Sequence, residues 1–208
     1  ILFEGCSAGG GRFDAGVLAY MPQIWTSDNS DAIARLKMQY STSMCYPVYS
    51  ISSHVTASPN HQCGRVTSLK TRADVAYCGT FGYELDVTKM SDEEFEEIKA
   101  QIEFEKRIQD LMCDGDLYRL INPYETNYCS WEVISKDKKH IFVMACKVLA
   151  VAQTKSEKVK LQGLDVNKRY RNMLTGKVYS GDFLMYHGIR VNYEMKDFST
   201  VVFEFAEI

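Results

Sequence analysis

The chain has 208 residues, 46% hydrophobic and 25% charged, with a formal net charge of −3; this is the composition of an ordinary globular protein, long enough for one large domain or two small ones. Lysine and arginine are spread along the chain, which gives no basis for nucleic-acid or anionic-membrane partners, and no run approaches the roughly 18–20 apolar residues that cross a bilayer. Seven cysteines without a CxxC pair suggest neither a disulfide framework nor a zinc site, so reduced thiols in a cytoplasmic protein are expected.

In chain order, "ILFEGC" reads as a buried strand turning at Gly5, with no charged leader and no cleavage site. Such an opening is expected of the interior of a longer protein. The glycine run Gly9-Gly10-Gly11 follows this strand, yet it matches neither the GxGxxG nor the GKS/GKT pattern of phosphate cradles. Glycines there either form a plain tight turn or let backbone approach a ligand closely. "QIWTS" reads as the end of another strand, and Asp28 lies just beyond it. A carboxylate at that end of a barrel strand sits where such folds do chemistry, and Trp25 would supply an apolar wall that raises a carboxyl's pKa. Alternatively, Asp28 or Asn29 merely caps the helix that follows.

That helix, "SDAIARLKMQYSTSM", carries Ile33, Leu36 and Tyr40 at helical spacing, with its cap among Asp28 to Asp31. "YPVYSISSHV" reads as extended, "NHQCGR" as a polar loop, "SLKTRADVAYC" as a helix and "FGYELD" as a strand. His54 and His61 admit a metal or base reading but have no acidic ligand cluster nearby in sequence, so a loop or core histidine is the competing assignment. Cys6 is either a nucleophile, a ligand contact or a packing residue. The acidic run in "SDEEFEEIKAQIEFEKRIQDLMC" marks a helix start, with Ser91 and Glu94 at capping-box spacing. Strand–helix alternation to this point argues for parallel βα units.

Past "CDGD" the texture changes to short alternating runs: "YCSWEVIS", "KHIFVMACKVLAV", "VKLQGL", "KRYRNMLTGKVYSG", "IRVNYEM" and "STVVFEFAEI". Turn residues separate them, which predicts an antiparallel β domain whose tyrosines and phenylalanines form its core. The expected organisation is α/β over residues 1–116 followed by all-β over residues 117–208.

"CSAGGGRFD", "MPQIWTSDNSDAIARLKMQY", "HVTASPNHQCGR" and "GTFGYELD" occur in this order, and together they resemble the α-galactosidases of glycoside hydrolase family 36. The match runs through roughly residues 2 to 95, and "LTGKVYSGDFLMYHGIRV" is more loosely similar to the family's C-terminal β domain. The resemblance implies the C-terminal half of a (β/α)8 catalytic barrel followed by an antiparallel β-sheet domain. It implies retaining hydrolysis of terminal α-1,6-linked galactose from melibiose and raffinose-type oligosaccharides, without cofactor or metal. Asp28 would be the proton donor and general acid/base. Cys6 and Gly9 would contact the galactose, with Ser7 and Ala8 lining the same wall and Trp25, Asn29 and His54 behind them. The nucleophile of the family lies in a K-W-D segment that this chain does not contain, so the chain alone is expected to be inactive. A cytoplasmic homotetramer is expected for the whole enzyme. The rival readings are a carbohydrate-binding or interaction module, an α-N-acetylgalactosaminidase, and a galactosyl transferase of the same fold.

Overall fold

The computed structural model describes residues 1, 3–6, 14–152 and 158–208. The chain divides into two compact units, Ile1–Arg107 and Ile108–Ile208.

The first unit is built on four strands, β1 (Glu4–Gly5), β2 (Gln23–Ile24), β3 (Ser52–Thr56) and β4 (Thr80–Glu84). β1 pairs parallel with β2, a parallel bridge joins Ile24 to Ile51 at the entry to β3, and β3 pairs parallel with β4. Neighbouring in sheet order as in sequence, and joined by helical crossovers, they form the C-terminal half of a (β/α)8 barrel. The crossovers are a 3-10 turn at Ala15–Ala19, α1 (Ala32–Thr42) and α2 (Leu69–Ala76). α1 buries Ile33, Leu36 and Tyr40, the spacing that its sequence announced. The same helix also buries two polar side chains, Arg35 and Gln39. Gln39 Nε2 donates to Ser53 Oγ at 2.9 Å and to the Cys78 carbonyl at 2.8 Å, so this polar side chain fastens the helix to the sheet.

"YPVYSISSHV" is not extended throughout. Val48–Ser50 form a 3-10 turn in which Ser50 Oγ donates to the Pro47 carbonyl at 2.8 Å; a local side-chain bond of this kind competes with strand pairing. α3 (Asp92–Asp114) spans the division between the units. It opens with the expected box: Ser91 N–H donates to Glu94 Oε2 at 3.0 Å and Glu94 N–H to Ser91 Oγ at 3.3 Å.

The second unit is a six-stranded antiparallel sheet in the order β10-β9-β12-β7-β6-β5. Its strands are β5 (Asp116–Ile121), β6 (Tyr128–Ile134), β7 (His140–Lys147), β9 (Arg169–Asn172), β10 (Val178–Ser180) and β12 (Ser199–Glu207). A small pair, β8 (Lys158–Val159) with β11 (Ile189–Arg190), and a π-helical turn at Phe183–His187 cover one face. Ile141, Val143, Ala145, Tyr170, Leu184 and Phe205 form the core there. The aromatic residues are only partly core: Phe142, Tyr170 and Phe205 are buried, whereas Tyr124, Phe183 and Tyr186 are exposed. "IRVNYEM" and "VKLQGL" read as full strands but pair over two residues each; beyond the pair, Leu161 N–H turns to the Leu184 carbonyl at 3.1 Å and Gln162 N–H to the Glu132 carboxylate at 2.7 Å.

Candidate active site

The C-terminal ends of β1 to β4 surround a cleft of about 430 Å³. β1 contributes Glu4 and, one residue beyond its end, Cys6; the segment after β2 contributes Trp25, Asp28 and Ser30; β3 contributes His54; β4 contributes Glu84 and Tyr83. His61 and Gln62 reach it from the loop after β3. Cys6 and Asp28 are exposed at its margin. Ser7, Ala8, Gly9 and the glycine run lie outside the described residues.

The helix-cap alternative for Asp28 and Asn29 is overturned. Asp31 caps α1, its carboxylate accepting from Ala34 N–H at 2.8 Å. Asn29 shapes the turn before it: its Oδ1 accepts from Asp31 N–H at 3.1 Å and its N–H donates to Ser27 Oγ at 3.2 Å. Asn29 thus does not line the cleft, while Asp28 does. The Asp28 backbone is held from the neighbouring loop, Gln62 Nε2 donating to its carbonyl at 2.8 Å. Asn60 organises that loop. Its Oδ1 accepts from Gln62 N–H at 3.0 Å and Cys63 N–H at 3.2 Å, and its Nδ2 donates to Ser30 Oγ at 3.2 Å. An ion pair between Arg65 and Asp31 closes the same junction.

Behind the margin lies a stacked array. His54 lies face to face with Trp25, ring centroids 4.6 Å apart and planes within 20°, and the Arg35 guanidinium sits 4.3 Å from the Trp25 ring centroid. Arg35 is buried and donates to Thr26 Oγ1 at 3.0 Å and to the Ser52 carbonyl. Burial pushes its pKa down to about 10, against the opposing fields of Glu84 and Glu4. The tryptophan therefore packs against both His54 and Arg35.

His54 stands between two carboxylates, Nδ1 3.6 Å from Glu84 Oε2 and Nε2 3.9 Å from Glu4 Oε2; these are ion-pair separations, longer than hydrogen bonds. Glu4 is fixed in turn by Gln23 Nε2, donating at 2.7 Å, and by the Ser52 hydroxyl. Gly82 leaves the room His54 occupies, since a Cβ there would stand 2.8 Å from His54 Cδ2. Among the described residues, no group of three His, Cys, Asp or Glu side chains has the geometry to hold a metal ion.

Three carboxylates, imidazole and amide donors, and an indole suit a neutral, hydroxyl-rich ligand with a proton-transfer group at its edge. The sequence reading missed Glu4, Glu84, Tyr83 and Gln62. Glu4 had a signal: it is the one charge in an apolar strand and is two residues from Cys6, so the strand period puts both on one face.

A family model described as Melibiase matches residues 1–115, and one described as Glycosyl hydrolase family 36 C-terminal domain matches residues 128–205. Alpha-galactosidase AgaA of Geobacillus stearothermophilus and alpha-galactosidase Mel36A of Lactobacillus acidophilus are each 48% identical over all 208 residues. The chain spans 28% of the length of either. Crystal structures of AgaA variants in complex with raffinose and with stachyose superpose with a TM-score of 0.96, at 47% and 48% identity, over 100% of this chain and 29% of theirs.

Proposed function

The chain belongs to the Melibiase family and carries a glycosyl hydrolase family 36 C-terminal domain, and on that premise we propose that it supplies the acid/base side of an α-galactosidase active site. Asp28 protonates the glycosidic oxygen as that oxygen leaves the anomeric carbon, and then takes a proton from the water that releases galactose. The attacking carboxylate comes from elsewhere in the complete enzyme, about 5–5.5 Å away as in retaining pairs. Cys6 is a small wall for the sugar; Glu4, Glu84 and His61 offer partners to its hydroxyls. Raffinose-type oligosaccharides are the proposed substrates, supported by the raffinose and stachyose complexes of the relatives. The homotetrameric, cytoplasmic state belongs to the same proposal and rests on the family resemblance.

The observation that carries the reading is the division of labour between two aspartates: Asp31 caps α1, so Asp28 is spared that duty and lines the cleft. In the complete enzyme, Asp28→Asn should lower turnover of raffinose about 10²–10⁴-fold. The first, bond-breaking step on an aryl α-galactoside with a good leaving group should survive. Unchanged turnover of raffinose would remove Asp28 from the role.

A further inference from the structure

We propose that the second unit holds a separate binding site for a hexose bearing an anionic group. The site is a crevice of about 350 Å³, where the core face of the six-stranded sheet meets the β8–β11 pair and the Phe183–His187 turn. Asn172, Tyr179 and Phe203 line it from the sheet; Lys158, Phe183, His187 and Arg190 line it from the covering layer. Gly188, at φ +79°, lets the two layers close, because a Cβ there would stand 2.6 Å from the Val159 carbonyl oxygen.

The donor and acceptor inventory defines the ligand. Lys158, Lys177 and Arg190 are cations that only donate, and no aspartate or glutamate is among the described residues lining the crevice. Lys158 Nζ lies 2.9 Å from His187 Nε2. An ammonium can only donate, so in this contact Nε2 is the acceptor. Asn172 Oδ1 is occupied, accepting from Leu174 N–H at 2.9 Å and Thr175 N–H at 3.0 Å, which leaves its NH₂ group to address a ligand. A crevice rich in donors and poor in acceptors fits an acceptor-rich anion, a phosphate ester or a carboxylate.

One wall is made of rings. Phe183 stacks on Tyr179 with centroids 5.7 Å apart and meets His187 in a tilted contact at 4.6 Å, and it is 39% exposed. The apolar C–H face of a sugar suits such a wall, and the volume lies at the small end of ligand cavities, the size of one monosaccharide. The site lies wholly within Ile108–Ile208 and stands or falls independently of Asp28.

Calorimetric titration of the complete enzyme tests it, with excess galactose present throughout to occupy the catalytic cleft. Galactose 6-phosphate and galacturonate are the two anionic probes, and inorganic phosphate is the control. An anionic hexose should bind at least tenfold more tightly than phosphate, and the stronger of the two probes identifies the anion. Arg190→Gln and Lys177→Gln alter exposed side chains, so melting should be unchanged while affinity falls at least tenfold. No heat from either probe, equal binding of inorganic phosphate, or full affinity in both variants would overturn the proposal.

Discussion

Arg65 forms an ion pair with Asp31, the same carboxylate that caps α1. One aspartate thereby joins the segment after β2, the start of a helix and the loop after β3, and Asp28 and Gln62 are carried on the two segments so joined. Asp31 is buried, whereas the Arg65 side chain is one-third exposed, so the two partners are not equivalent. Arg65→Ala leaves a buried carboxylate without this cation, and should cost about 1–3 kcal/mol. Asp31→Asn keeps a capping side chain and leaves an arginine that water can reach, so it should cost less. Chemical denaturation of both variants checks the order; a costlier Asp31→Asn would mean that the charge on the cap matters more than the burial of its partner.

The seating of His54 depends on a missing side chain. Gly82→Ala would bring a methyl group within 2.8 Å of His54 Cδ2, closer than packed carbons approach. The ring must turn or slide off Trp25 and out of its position between Glu4 and Glu84. We expect kcat/KM on raffinose to fall at least tenfold while the melting temperature drops by only a few degrees. Steady-state kinetics beside a thermal melt check this, and full activity in Gly82→Ala would show that the stack does not shape the site.

Glu132 on β6 makes stability depend on pH. It is fully buried, and its Oε2 accepts from Gln162 N–H at 2.7 Å. Burial pushes its pKa from 4.5 up to about 8. Between those values the folded protein holds a proton that the unfolded chain has released. The stabilisation is therefore complete below pH 4.5 and is lost as pH rises through 8, falling by about 1.4 kcal/mol per pH unit across that interval. Glu132→Gln should flatten unfolding free energy between pH 5 and 8. A residual slope up to about pH 7 should persist, because burial also raises Glu105 to about 7. Parallel stability curves for the two proteins would contradict the assignment.

How much of this was legible in the sequence follows from the range of the forces involved. Ser91 and Glu94, three residues apart, wrote their capping box openly, and Ile33, Leu36 and Tyr40 declared their face of α1 by spacing alone. Asp28, Trp25, His54 and Cys6 were each singled out and all line one cleft. Which residue caps α1 was not legible, since Asp28, Asn29 and Asp31 are all competent caps, and the ion pair that Asp31 makes comes from Arg65, 34 residues away. The roles of Gln62 and Arg35 were hidden because their partners, the Asp28 and Ser52 carbonyls, lie in segments distant in sequence. In the second unit, alternation revealed β6, β7 and β12, but it assigned Phe183 to the core, because apolar character alone does not distinguish a core ring from a crevice wall.

The most direct test of the central claim is azide rescue of Asp28→Ala in the complete enzyme, with an aryl α-galactoside as substrate. A retaining enzyme that has lost its acid/base group still forms the galactosyl-enzyme, and azide needs no base to attack it. The account predicts that azide accelerates turnover and yields α-galactosyl azide, of retained configuration. β-Galactosyl azide would identify Asp28 as the nucleophile instead, and no acceleration by azide would contradict its acid/base role.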